Sequence, residues 1–205
     1  MKTAVPRSGI LFIVMALWVA ALVASGIAPY DRFTWFMEAA PVLIAMPLLL
    51  ATRRRLPLTT LAYVLICIHG LILIYGAAYT YARTPLGFEL QALFGFERNP
   101  YDRIGHLAQG FIPAIVAREL LIRVFRLAPG GLMLFLVTCI ALAISAFYEL
   151  IEWWSALVMG QAADQFLGTQ GDPWDTQWDM FLALVGALTA QRALGRWHDR
   201  QIARA

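Results

Sequence analysis

Apolar residues run through this chain in long blocks, not in the half-apolar periodicity of a helix on a soluble core. Six blocks stand out, at 9–28, 36–51, 56–81, 101–125, 131–157 and 174–194. A helix crosses the hydrocarbon core of a bilayer with about 20 mostly apolar residues, and the blocks are of that size. Pro41 and Pro47 interrupt the second block and Pro113 the fourth. Prolines are tolerated in membrane helices where neighbours satisfy the freed carbonyls. Between the third and fourth blocks, Phe88, Leu90, Leu93, Phe94 and Phe96 alternate with Glu89, Glu97 and Arg98. That mixture predicts a short helix lying in the membrane interface. The stretch 160–173 is polar, glycine-rich and free of basic residues. The pattern predicts an all-α fold: one membrane domain, 1–205, built as a polytopic bundle of about six transmembrane helices. The first block could instead be a cleaved signal segment, because Leu22, Val23, Ala24 and Ser25 end it with small residues. Its length favours an uncleaved helix.

Composition supports the membrane reading. The chain is 60% hydrophobic and 14% charged, against roughly 25% charged in soluble domains. The net charge of +3 does not point to nucleic acid. Its basic residues fall in short clusters between apolar blocks, without the long basic stripe of a nucleic-acid surface. Those clusters set orientation instead. With the N-terminus in the cytoplasm, Lys2 and Arg7, Arg53 to Arg55, Arg123 and Arg126, and Arg196, Arg200 and Arg204 all fall inside. The basic-free stretch 160–173 then falls outside. Arg83 and Arg98 run against this N-in/C-in arrangement. Cys67 and Cys139 each lie within an apolar block and read as packing residues, not as a disulfide or metal pair.

Topology gathers acidic residues that are far apart in sequence. The fourth helix enters from outside with Asp102 and His106, four apart and on one face. The fifth starts inside near Gly131, and Glu149 follows after a rise of about 27 Å, close to the full hydrocarbon thickness. Glu152 shares its face, and Trp153 and Trp154 follow as an interfacial belt would. The sixth enters from outside with Asp175 and Asp179, while Asp164 and Asp172 sit in the loop before it. Acidic groups at membrane depth cost a few kcal/mol and face a partner, water or the bundle interior. Their mutual repulsion calls for protonation, Arg103 or a bound cation.

Carboxylates with one imidazole suit a divalent cation such as Ca²⁺, Mg²⁺, Mn²⁺ or Zn²⁺. The candidate ligands are Asp102, His106, Glu149, Glu152, Asp175 and Asp179. The same residues could equally set helix register in the headgroup layer through water and inter-helix hydrogen bonds. Asp172 is a candidate cap for the last helix. Gln109 lies three residues beyond His106 and could line the same face. His69, near the middle of the third helix, reads as a hydrogen-bonded packing residue. Arg118 and Glu119 read as a local pair or a snorkelling pair near the inner end of the fourth. No nucleophile constellation and no phosphate-cradling glycine loop is present. Were the protein an enzyme, His106 and Glu149 would be the acid/base or ligand candidates, with Asp102 orienting His106.

Three blocks carry a resemblance. Tyr101-Asp102-Arg103-Ile104-Gly105-His106, Phe147-Tyr148-Glu149-Leu150-Ile151-Glu152-Trp153 and Leu167-Gly168-Thr169-Gln170-Gly171-Asp172-Pro173-Trp174-Asp175-Thr176-Gln177-Trp178-Asp179-Met180 resemble the YjdF-like family of bacterial inner-membrane proteins. That resemblance implies topology and location, and no reaction. More loosely, Asp102, His106, Glu149 and Asp179 are similar in placement to residues of VanZ-like membrane proteins, which implies a role in the cell envelope. The expected function is that of a multi-pass inner-membrane protein whose outer acidic/His site binds a divalent cation or a lipid or envelope headgroup. The expected partners are membrane lipid and a lipid-linked envelope substrate. A small proton- or cation-coupled transporter and a structural or partner-binding membrane subunit are the alternatives.

Overall fold

The computed structural model describes residues 7–159 and 168–204. Lys2 and Asp164 lie outside them. The described residues form helices and no strands: α1 (Arg7–Ile27), α2 (Arg32–Thr52), α3 (Thr60–Tyr79), α4 (Pro85–Phe94), α5 (Tyr101–Arg123), α6 (Gly131–Met159) and α7 (Asp175–Ile202). One 3-10 turn, Tyr81–Arg83, precedes α4. α1, α2, α3 and α6 are long and apolar enough to cross a membrane, with mean hydropathy of 1.7 to 2.6. α5 and α7 are as long but carry charges at both ends. They make the most extensive helix pair among the described residues, so the charged helices pack chiefly on each other. The chain is a polytopic helical membrane protein.

Local sequence explains the helix limits. Asp31 caps α2 by accepting from the Thr34 backbone N–H at 2.8 Å. That bond holds the Asp31 carboxyl below its ordinary range. Thr59 caps α3 through the Ala62 N–H. α3 therefore starts four residues later than the apolar block, after Pro57. It also stops at Tyr79, because Thr80 turns to a positive φ of 60°. The expected interfacial helix is α4, ended by Gly95 in the left-handed region. The largest departure is at α7, which runs eight residues past the end of its apolar block and carries His198, Asp199 and Gln201 into the protein. Polar composition hid these two turns of helix.

Two cores result. α1, α2 and α3 pack around Leu11, Val14, Trp18, Val42, Tyr63 and Ile74. α5, α6 and α7 pack with the start of α3 around Ala114, Ile115, Met133, Val137, Ala187 and Ala190. α3 against α5 joins them. The outer surface is apolar: Phe12, Val23, Ile44, Leu48, Phe135, Phe147 and Val158 are all exposed. A soluble protein does not present so much contiguous apolar surface, and a bilayer covers it.

Contacts fix the relative direction of the helices. The start of α3 meets the ends of α5 and α7, where the Thr59 N–H donates to Glu119 and the Leu61 N–H to Gln201. The far end of α3 meets the start of α5, where the Tyr101 hydroxyl donates to the Ile72 carbonyl at 2.9 Å. One end of the bundle thus collects Asp102, Glu149, Asp175 and Asp179, and the other collects Glu119, His198 and Asp199.

Candidate functional site

The acid-rich end is assembled around the start of α5. Asn99 Oδ1 accepts from the Tyr101 N–H at 3.1 Å, and Asn99 Nδ2 donates to the Thr84 carbonyl at 3.0 Å. The Gln170 amide then pairs with the Asn99 backbone in both directions, each at 3.0 Å. Gly168 and Gly171 adopt positive φ in that loop, a conformation glycine takes without a Cβ penalty. This ties the segment before α7 to the start of α5.

Arg98 joins the expected Arg103 as a counter-charge to these acids. Its guanidinium donates to the Gly168 carbonyl at 2.9 Å and the Thr169 carbonyl at 3.1 Å. It forms a close ion pair with Asp175 and stands 3.7 Å from Asp102. Arg103 pairs with Asp172 at 2.7 Å. Asp172 Oδ1 also accepts from the Trp174 N–H at 2.9 Å; this bond closes a turn ahead of α7 and is not the expected helix cap, because Trp174 is the N-cap and no side chain caps the helix. Asp175 and Asp172 are therefore held by arginines.

The remaining acids converge on His106. Its Nε2 has Asp102 Oδ1 at 3.6 Å, Glu149 Oε1 at 3.8 Å and Asp179 Oδ2 at 3.9 Å. These are too long for hydrogen bonds. Oxygen and nitrogen ligands at 2.0–2.4 Å from one metal ion stand about 3–4 Å from one another. His106 and Asp179 are 5% and 1% exposed, and Asp102 completes a group whose ligand atoms lie within 4.8 Å of one another. Two carboxylate oxygens here, Glu149 Oε1 and Asp179 Oδ1, are buried with no hydrogen-bond partner. On its other side, His106 Nδ1 lies 3.0 Å from Gln109 Oε1. An amide oxygen only accepts, so Nδ1 is the donor in this contact, and Nε2 is the nitrogen that faces the three carboxylates. Gln109, not Asp102, is thus the residue that orients the ring. Glu152 does not join the group. It lines an adjoining cavity of about 210 Å³ together with Asp102, His106, His69 and Glu38.

Three further features escaped the sequence reading. Glu38 is 1% exposed, and its Oε2 has no partner. His69 is not a hydrogen-bonded packing residue, because its Nε2 is buried without a partner beside that cavity. Glu119 neither snorkels nor pairs only locally. It is fully buried and accepts from the Thr59 N–H and hydroxyl, from Arg123 at 2.6 Å, and stands 3.0 Å from His198 Nε2. Arg118 is likewise buried and makes three hydrogen bonds to Asp199 at 2.8–3.0 Å. This inner cluster joins α3, α5 and α7.

The family model "Predicted membrane protein (DUF2238)" matches residues 10–200. The chain belongs to this family. It is 58% identical over 183 residues to "Inner membrane protein YjdF" of Escherichia coli (strain K12), across 89% of this chain and 88% of that protein. No solved structure matches. The YjdF-like resemblance of the three blocks thus extends over almost the whole chain, and the protein is an inner-membrane protein. Neither the family model nor this relative bears on the expected similarity to VanZ-like proteins, which stays an expectation from the placement of Asp102, His106, Glu149 and Asp179.

Proposed function

We propose that this family member binds one divalent transition-metal cation in the Asp102–His106–Glu149–Asp179 cluster and presents it to an envelope lipid headgroup. The observation that carries the reading is His106 Nε2 facing three carboxylate oxygens at 3.6–3.9 Å. Neighbouring carboxylate oxygens there are buried and unpartnered. An imidazole held through Nδ1 by a second residue is how histidine is positioned for a metal. One nitrogen among carboxylates favours Mn²⁺ or Zn²⁺ over the all-oxygen preference of Ca²⁺ and Mg²⁺. The cation would supply Lewis acidity or anchor a phosphate. Around it, His106 and Glu149 are the groups placed to hold or move a proton. The polar lining stops at His69 and Gln109, short of the inner end, which favours binding over passage through the membrane.

The test is elemental analysis and Mn²⁺ and Zn²⁺ titration of the purified protein in detergent, beside His106→Ala and Asp179→Asn. The parent should carry close to one ion per chain, and both variants should lose it while remaining monodisperse. Metal-free parent protein that also ignores both added ions would overturn the proposal.

A further inference from the structure

Two cavities meet inside the bundle, and only the mouth of one belongs to the cation cluster. The first, about 210 Å³, lies among α2, α3, α5 and α6 and is bordered on one side by Asp102 and His106. Glu38, His69, Tyr148 and Glu152 line it further in, and no arginine or lysine does. Glu38 Oε1 accepts from the Tyr81 N–H at 3.4 Å, while Oε2 is buried and unpartnered. A carboxylate oxygen in that position costs free energy unless a donor meets it. The second cavity, about 430 Å³, runs along α1, α2, α3 and α5 and has no charged residue in its lining. It shares Pro41, His69, Leu73 and Pro113 with the first. The two prolines also leave the Met37 and Gln109 carbonyls without their helical i+4 donors. An acid-rich chamber therefore lies directly against an apolar groove, with Pro41, His69, Leu73 and Pro113 bordering both.

We infer that the two cavities together hold one aminophospholipid, its chain in the groove and its ammonium on Glu38. Charge complementarity selects the head group. The chamber offers carboxylates, phenols and, at Gln109, a residue with a freed carbonyl, and among the described residues no arginine or lysine lines it, so it receives a donor-bearing cation and repels a bare anion. Continuity with an uncharged groove selects an amphiphile over a soluble amine. Asp102 and His106 border both chamber and cation cluster, so the phosphate of the same lipid faces the cation. This last point rests on the cation reading, whereas the placement of the ammonium on Glu38 does not.

Delipidated full-length protein in detergent is titrated with lysophosphatidylethanolamine and lysophosphatidylglycerol of equal chain length, and bound lipid is read by native mass spectrometry. The parent should favour the ethanolamine lipid by about tenfold or more, the scale of one charge-assisted hydrogen bond. Glu38→Gln should abolish the preference while leaving glycerol-lipid binding intact. Val116→Trp, which fills the groove from a half-buried position, should weaken both lipids. Equal affinities in the parent, or a preference that survives Glu38→Gln, would overturn the inference. Chelation separates the two readings: it should weaken both lipids alike if the phosphate meets the cation. Affinities for both lipids unchanged by chelation sink the phosphate–cation contact alone and leave the ammonium on Glu38 standing.

Discussion

At the scale of single residues, Arg98 decides most. It binds Asp175, two loop carbonyls and the field of Asp102 at once, while its side chain is 10% exposed. Removing one partner of a buried pair leaves the other uncompensated, at about 3–5 kcal/mol. Arg98→Met should therefore lower the thermal midpoint in detergent far more than Arg83→Met, since Arg83 rests over the Tyr30 ring in the interface. Equal midpoints for the two variants would show that the ion pair contributes nothing. The sequence displayed Arg98 as an outlier to the charge rule but not its purpose, because Asp175 lies 77 residues away. Asp102, His106 and Gln109 were legible because helical spacing alone puts them on one face. That Gln109 takes the orienting role follows from side-chain geometry, which spacing does not encode. Glu38 was legible only as an acid near the start of an apolar block. Its burial depends on Tyr81, which belongs to the turn after α3.

At the scale of elements, apolar length located six long helices, and it failed where helices are held by polar contacts. α7 continues through His198, Asp199 and Gln201 because Glu119, Arg118 and the start of α3 receive them. An apolar count cannot see partners on other helices, so Arg118 and Glu119 looked local. The α5–α7 pairing has a second physical basis. Gly110 lies against the Ala183 backbone and Gly186 against the Leu107 carbonyl, and a Cβ at either would enter the opposing main chain. Small residues let membrane helices approach this closely. Gly110→Leu and Gly186→Leu should each destabilise by several kcal/mol, since the obstacle is backbone. Both should loosen the His106–Asp179 spacing and so reduce cation binding as well. Gly130→Leu, where nothing lies within reach of a Cβ, is the control. A fold and cation response equal to the control would show that α5 and α7 do not need the close approach.

At the scale of the whole molecule, the two ends of the bundle carry opposite chemistry, and this makes orientation testable. The acid-rich end has Arg98 and Arg103, both committed to carboxylates, beside Arg32 on the Gly26 and Ile27 carbonyls and Arg83 over the Tyr30 ring. The other end has Arg53, Arg54, Arg55, Arg196 and Arg200 on or just past helix ends. Cytoplasmic loops collect uncommitted Lys and Arg, whereas paired arginines carry little net field. Counting only the charges not paired with carboxylates removes Arg98 from the exceptions and leaves Arg32 and Arg83 against Arg53, Arg54, Arg55, Arg196 and Arg200, so the expected orientation stays N-in/C-in. With Cys67 and Cys139 replaced by alanine, Pro173→Cys should react with a membrane-impermeant maleimide in intact spheroplasts. Arg54→Cys should react only after the membrane is opened. Both positions are exposed, so access and not burial governs labelling. The reverse pattern would place the acid-rich end in the cytoplasm. The cation cluster would then draw on the cytosolic metal pool and meet inner-leaflet lipid, and the choice of headgroup would have to be argued anew from that leaflet.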